Sequence, residues 1–429
     1  MVFTFRFLKS VPQSNGPMAN LCRKCYSKAF PSFGSDFITN EHLDESYYLN
    51  PDNFDEIHQS IKLRGLDELD SKLRECNKDV QRIKSVLSSN LSILPNKLWP
   101  TFNQAIESNS NLSKVPPDFA EKLDFRPKSG EKLLKSNKFL FSGMDYSISH
   151  TGSNGCYVLV GDGARLERAL VTWTRDELVK KYKFIPVVVP NIVYDSVIRG
   201  CGFEPDGNRT QVYRLKGTSG SGSVCLSGTS EIPLVGMHLG EVFDPKNLPY
   251  RLCATSRCYR AETAGSGLYR VHYFTKVEMV AICEPSDSSG ILEEFVEIQK
   301  YLFSQLGIHY RVRDMPPSDL GLPAARKFDI EAAFPVSKIW GEISSASNCT
   351  DYQSRRFNIQ FRKIDPNGAV SGNDLIKNRF VHTVNGTACA TPRILLPIVE
   401  MNQEQGGRIR IPQVLRDRMG GQVYLNKNT

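Results

Sequence analysis

The sequence predicts an α+β fold, an antiparallel sheet with helices on a face, preceded by a helical N-terminal region. Three observations predict it. Strand-like runs cluster around residues 250–283, 328–333 and 357–363 instead of alternating regularly with helices, which argues for one antiparallel sheet rather than a parallel one. Within 258–278, two apolar and aromatic runs flank a small-residue turn, the pattern of a hairpin. Between Asp52 and Leu91, Ile57, Ile61, Leu63, Leu66, Leu69, Leu73, Val80, Ile83 and Leu87 recur close to a three- to four-residue spacing, the period of amphipathic helices.

Taken in order, residues 1–35 contain Arg6, Lys9, Arg23, Lys24 and Lys28 and no acid, with Asp36 the first. A basic, acid-free, Ser-containing and apolar leader reads as a mitochondrial transit peptide. Residues 36–130 form the helical region. Asp67, Glu68 and Asp70 lie early in its second helix and Lys78, Arg82 and Lys84 late, which suits the helix dipole. Pro95 and Pro100 interrupt it, a further short helix is expected at Phe102–Ser108, and an Asn/Ser-rich stretch ends at Pro116-Pro117. Residues 118–155 read as linker plus first strands. Tyr157–Val160 reads as a strand, Gly161 opens a helix running towards Lys181, and Phe184–Pro190 reads as a buried strand ended by proline. The expected catalytic domain is 131–429.

At 429 residues the chain can bury a large core. Its 40% hydrophobic and 23% charged content place it among water-soluble globular proteins, and no apolar run approaches the ~20 residues of a membrane helix. Eleven cysteines are scattered, and Cys22–Cys25 is the only CxxC. It lacks the second ligand pair of a zinc site, so a reducing compartment is expected. The leader carries five of the net eight positive charges, leaving three for the remainder. Any nucleic-acid binding must therefore rest on a local patch.

Four segments carry reactive groups. Arg260, Glu262, Arg270, Phe274 and Glu278 lie on the hairpin, offering guanidinium groups for phosphate, carboxylates for an amine and a ring for a base. Ser227-Gly-Thr229-Ser230-Glu231 combines a hydroxyl with a carboxylate. Trp340-Gly-Glu342-Ile-Ser-Ser345 opens a string running to Arg356, and His382–Arg393 contains Thr387 and leads into an apolar helix. The helix-strand-proline unit of 161–190 carries no reactive group. No Rossmann glycine fingerprint and no P-loop occurs.

From about residue 155 to Arg416 these segments resemble, in order, the motifs of class II aminoacyl-tRNA synthetases, and specifically the mitochondrial type of seryl-tRNA synthetase. The resemblance implies a class II synthetase antiparallel sheet flanked by helices, with a reduced N-terminal helical arm for tRNA. It implies that 161–190, similar to motif 1, builds a dimer interface. Arg260 would grip the ATP α-phosphate and the serine carboxylate, where charge builds on five-coordinate phosphorus. Glu262 and Arg270 would serve ATP, and Phe274 would stack on adenine. Thr229, Glu231, Glu278 and Thr387 would bind serine, Glu278 receiving the α-amino group and Thr387 the hydroxyl. Glu342 and Ser345 would hold Mg2+ with phosphate oxygens, the ligand set magnesium prefers. Arg393 would hold the γ-phosphate near a helix start.

The implied activity is that of a matrix serine–tRNA ligase acting on serine, Mg-ATP and mitochondrial tRNA(Ser), as a homodimer or as a heteromer with a synthetase-like paralogue, without a membrane. Two departures from the family pattern stand out. Only Thr263–Ser266 separates Glu262 from Gly267, a shortened motif 2 loop, and the arm is cut by its prolines. These leave a non-charging mitochondrial paralogue, of the kind insects carry, as the alternative; a serine-activating enzyme that feeds a carrier protein is a third reading. Pro397, four residues past Arg393, is expected to be tolerable near a first turn or to bend the helix after it.

Overall fold

The computed structural model describes residues 44–76, 79–89, 94–98, 124–142, 155–206, 211–216, 223–261, 267–364 and 376–427. The leader 1–35, Lys78, Pro100, the Phe102–Ser108 helix, the Pro116-Pro117 stretch and Glu262 lie outside the described residues.

The N-terminal periodicity resolves into three helices, α1 (Phe54–Leu63), α2 (Asp67–Glu75) and α3 (Val80–Ser89). They close over a small core of Ile57, Ile61, Leu69, Leu73, Ile83 and Leu87. Gly65, at φ +70°, makes the first break, in the left-handed region open to glycine.

A seven-stranded sheet forms the centre. Its strands are β1 (Ile185–Val187), β2 (Tyr250–Tyr259), β3 (Tyr273–Cys283), β4 (Tyr310–Asp314), β5 (Arg326–Phe334), β6 (Ile339–Thr350) and β7 (His382–Thr391). Their order is β4-β5-β6-β7-β3-β2-β1, antiparallel throughout except for the parallel β1–β2 pair. The expected hairpin is the β2–β3 pair.

Strand alternation explains the layers. On β3, Val277, Met279 and Ala281 enter the main core with Leu166, Leu170 and Trp173 of α4 (Asp162–Lys180) and Phe295, Ile298 and Leu302 of α5 (Ser288–Gln305). The even positions face the other way. Val280 and Ile282 join a second core with Leu252, Ala254 and Phe357, whereas Phe274, Lys276 and Glu278 line an open cavity.

Three expectations change. The strand at 357–363 does not join the central sheet; Gln360–Ile364 pairs with Ile376–Phe380 and Val242–Phe243 in a separate sheet. The stretch at 184–190 is not a buried strand. Only Phe184 is buried, while Ile185 is 37% and Val188 97% exposed, because β1 is the sheet edge and nothing among the described residues covers its outer face. The helix of the last motif, α6 (Leu395–Met401), begins two residues after Arg393. Pro397 is thus its third residue, where a missing N–H costs nothing.

β6 holds the local irregularity that matters most. Ser344 pairs with Ile330 and Glu342 with Glu331, so one extra residue, Ile343, is inserted between them. Glu342 and Ser345 are three apart and would sit on opposite faces of a regular strand. The bulge resets the alternation.

Candidate active site

A cavity of about 430 Å³ opens on the sheet face away from α4 and α5, within the ~300–1,000 Å³ of small-molecule sites. Thr229, Glu231, Arg260, Arg270, Phe274, Glu278, Glu342, Ser345, Thr387 and Arg393 all line it. Every sequence-predicted site residue that lies among the described residues is therefore brought to one cavity.

One end is a buried polar chain. Lys276 Nζ lies 2.6 Å from Glu278 Oε2 and donates to Thr229 Oγ1 at 2.7 Å. Thr387 stands directly opposite Glu278 in the β7–β3 register and donates to Glu278 Oε2 at 3.1 Å. Its lone pairs remain available to a ligand hydroxyl. Thr229 Oγ1 also accepts the Glu231 N–H at 3.2 Å. With two donors on its oxygen, the Thr229 hydroxyl has its own proton left to give.

Glu231 begins the short helix Glu231–Gly236. Its Oε1 accepts from Gln353 Nε2 at 2.6 Å and Asn385 Nδ2 at 3.0 Å. Burial, with the nearby Glu278 carboxylate, pushes the Glu231 carboxyl up to about 7. This end thus combines two carboxylates, one cation and two hydroxyls, a constellation suited to a small polar cation with a hydroxyl group.

The other end is cationic and aromatic. Arg260 follows β2, its N–H bonded to His272 O at 2.9 Å, and its guanidinium lies 5.2 Å from the Phe274 ring. Arg393 sits in the turn between β7 and α6. Its Nε donates to Tyr269 O and its Nη1 to Glu342 O, each at 3.2 Å, and it lies 4.3 Å over the Tyr269 ring. Its 3.5 Å contact with the Glu342 carboxylate is loose. Two planar cations beside a half-buried ring that lines the cavity suit a nucleotide: phosphates to the guanidiniums, base to the ring.

Glu342 and Ser345 share this face through the bulge, opposite Glu331 and Asp329. Asp329 is held by Lys327 at 2.8 Å, and burial pushes its carboxyl up to about 6. Among the described residues no group of three or more His, Cys, Asp or Glu side chains is arranged to hold a metal. Glu342 and Ser345 offer oxygen donors alone, the type a hard cation takes, and ligand oxygens would have to complete the set.

Lys276, Asn385, Gln353 and Tyr269 were not singled out from the sequence. Lys276 and Asn385 stand two residues before Glu278 and Thr387 on their strands. Strand alternation alone puts each on its neighbour's face, a signal that could have found both. Gln353 and Tyr269 reach the site from the helix Tyr352–Phe357 and a loop, and carry no such signal.

Comparison with known proteins agrees with this geometry. Residues 213–402 match the tRNA synthetase class II core domain (G, H, P, S and T). The chain is similar to the mitochondrial serine–tRNA ligase of Mus musculus, 36% identical over 378 residues covering 85% of this chain and 68% of that protein. It is similar to the serine–tRNA ligase of Treponema denticola, 34% identical over 80% of this chain and 79% of that one. Among solved structures, the seryl-tRNA synthetase from Pyrococcus horikoshii complexed with ATP superposes with a TM-score of 0.67 at 27% identity, over 92% of this chain and 97% of that chain.

Proposed function

Because this chain belongs to the serine–tRNA ligases, ATP-dependent enzymes of synthetase class II, we propose that its cavity activates serine with Mg-ATP and charges mitochondrial tRNA(Ser). A serine carboxylate oxygen attacks the α-phosphorus, the bond to the β-phosphate breaks and pyrophosphate leaves. The hydroxyl at the 3′ end of tRNA then attacks the seryl carbonyl, and AMP leaves. No side chain acts as nucleophile; alignment and charge neutralisation carry the rate.

The observation that carries the reading is the division of one cavity into a carboxylate–hydroxyl end and a guanidinium–aromatic end. At the first, Glu278 and Glu231 take the ammonium, Thr387 accepts the serine hydroxyl and Thr229 donates. At the second, Arg260 bridges the α-phosphate and the serine carboxylate, Arg393 holds the γ-phosphate, and Phe274 stacks on adenine with Glu262 and Arg270 nearby. Glu342 and Ser345 would hold Mg2+, which when bound would neutralise phosphate charge. No observation favours a non-charging paralogue.

The small core of α1–α3 supports a division into a helical part, 36–130, and a catalytic part, 131–429. Exposed apolar residues on and just after the edge strand, Ile185 and Val188, support a homodimer through the 161–190 unit, with a paralogue as the other candidate partner. The mitochondrial relative and the basic leader support a matrix location. No helix among the described residues is long and apolar enough to cross a membrane.

The test is serine-dependent ATP–pyrophosphate exchange by the purified chain, followed by charging of mitochondrial tRNA(Ser). Arg260→Ala and Arg393→Ala should each lower exchange on the order of a hundredfold or more while leaving the protein folded. Near-normal exchange in either variant would sink the assigned roles.

A further inference from the structure

We infer that Arg64 and Asn96 clamp the wall of the catalytic cavity, so that the N-terminal helical layer is part of the serine-activating site and not only a handle for tRNA. The inference rests on the proposed activity for its kinetic arm alone.

Arg64 is the residue that ends α1. Its Nη1 donates to Gly321 O at 2.9 Å, and its Nη2 to Ala324 O at 2.9 Å and Asn96 O at 3.1 Å. Asn96, 5% exposed, lies in the segment that follows the helices. Its backbone N–H donates to Leu322 O at 2.8 Å. Its Nδ2 meets Pro323 O and Cys349 O, both at 2.8 Å, while Thr350 Oγ1 donates to its Oδ1 at 3.2 Å. Two side chains thus satisfy carbonyls on two separate segments, 321–324 and 349–350, that have no sequence neighbourhood with them.

Those segments are the cavity wall. Gly321, Pro323, Ala324 and Cys349 all line the cavity. Thr350 is a β-branched residue at φ +44°, beside the second register shift of β6. Such backbone is strained and persists only where its surroundings hold it; Asn96 grips its hydroxyl and the Cys349 carbonyl before it, while Asn348 Oδ1 accepts its N–H at 2.9 Å. From Cys349 the contacts continue inward. Asn385 Nδ2 donates to Cys349 Sγ at 3.4 Å and to Glu231 Oε1 at 3.0 Å. The clamp therefore ends at the carboxylate assigned to the serine ammonium, not at the phosphate end. Burial lowers the Arg64 guanidinium only to about 10, so it remains a cation at neutral pH.

A helical layer acting only on tRNA would leave the tRNA-free reaction untouched. Arg64→Ala and Asn96→Ala are expected to raise the serine KM in pyrophosphate exchange by about tenfold, the scale of slightly misplaced reactants, with the ATP KM unchanged. Arg64→Lys, which cannot span three carbonyls, should fall between. Hydrogen exchange of the 320–325 and 348–350 amides should accelerate about tenfold in both alanine variants, and this readout does not depend on activity. Unchanged amide protection, or wild-type serine KM with impaired charging, would overturn the clamp. If the alanine variants do not fold, Arg64→Lys decides it by the same two readouts. Absence of exchange in the wild-type chain would instead defeat the proposed function, leaving the amide measurement to judge the clamp.

Discussion

Removing the charge of Lys276 should cost far more than removing both members of its pair. Lys276 and Glu278 lie 2.6 Å apart with side chains only 6% and 2% exposed. Lys276→Met keeps the aliphatic stem but leaves the Glu278 carboxylate buried beside the Thr387 hydroxyl, without its cation. Breaking a buried pair from one side costs ~3–5 kcal/mol. Glu278→Gln should cost a similar ~3 kcal/mol, because it strands the ammonium. The double variant removes both desolvated charges. It should lie within about 2 kcal/mol of wild type, a coupling of several kcal/mol in a double-mutant cycle. The assay is urea unfolding without serine or ATP, with equal slopes required before midpoints are compared. A loss under about 1 kcal/mol for Lys276→Met, or a double variant as unstable as the two singles together, would refute the claim that this pair is a desolvated unit.

Other expectations follow from the same geometry. The Glu231 carboxyl sits up at about 7 because it is buried, so its protonated form is favoured in the fold, and that preference fades as pH rises through 7. An arriving ammonium favours the ionised form, so the serine KM should fall about tenfold from pH 6 to pH 8. Glu231→Gln should flatten that profile, and a wild-type profile already flat would exclude Glu231 as the ammonium's partner. Phe274→Leu should raise the ATP KM about tenfold, since stacking on a base contributes ~1–3 kcal/mol, and leave the serine KM alone; equal changes in both would argue against stacking. At Gly130 an added Cβ would lie 2.5 Å from Leu396 O and 2.9 Å from Leu396 Cα. Backbone cannot move aside cheaply, so Gly130→Ala should destabilise by ~1–3 kcal/mol, read as a lower melting temperature; an unchanged one would show that α6 shifts freely.

The site was more legible in the sequence than its frame. Arg260, Phe274 and Glu278 could be read because a hairpin is local and its alternation writes the cavity face into every second residue. Their assembly with Thr229, Glu342, Thr387 and Arg393 came through resemblance, since nothing local says that strands 100 residues apart will be neighbours. The buried strand expected at 184–190 failed for an instructive reason. Apolar residues mark surface that avoids water, but not whether this chain or another body covers it. The separate sheet around 360–364 was missed because its partner strand at 242–243 is two residues long and pairs across more than 100 positions. Arg64 and Asn96 gave no warning at all. Their partners on the cavity wall lie more than 225 positions away, and neither residue type is unusual in such a segment.

The extra residue at Ile343 gives β6 two reading frames. Upstream of it the even-numbered Glu342 lines the cavity; downstream the odd-numbered Ser345, Ser347 and Cys349 do. A single strand thereby lines one cavity in both frames, with Glu342 before the change and Ser345, Ser347 and Cys349 after it. Deleting Ile343 alone would leave every reactive side chain in the gene and yet turn one half of the strand inside out. Mutational surveys that score only substitutions would never see this sensitivity, because it belongs to the spacing and not to any residue.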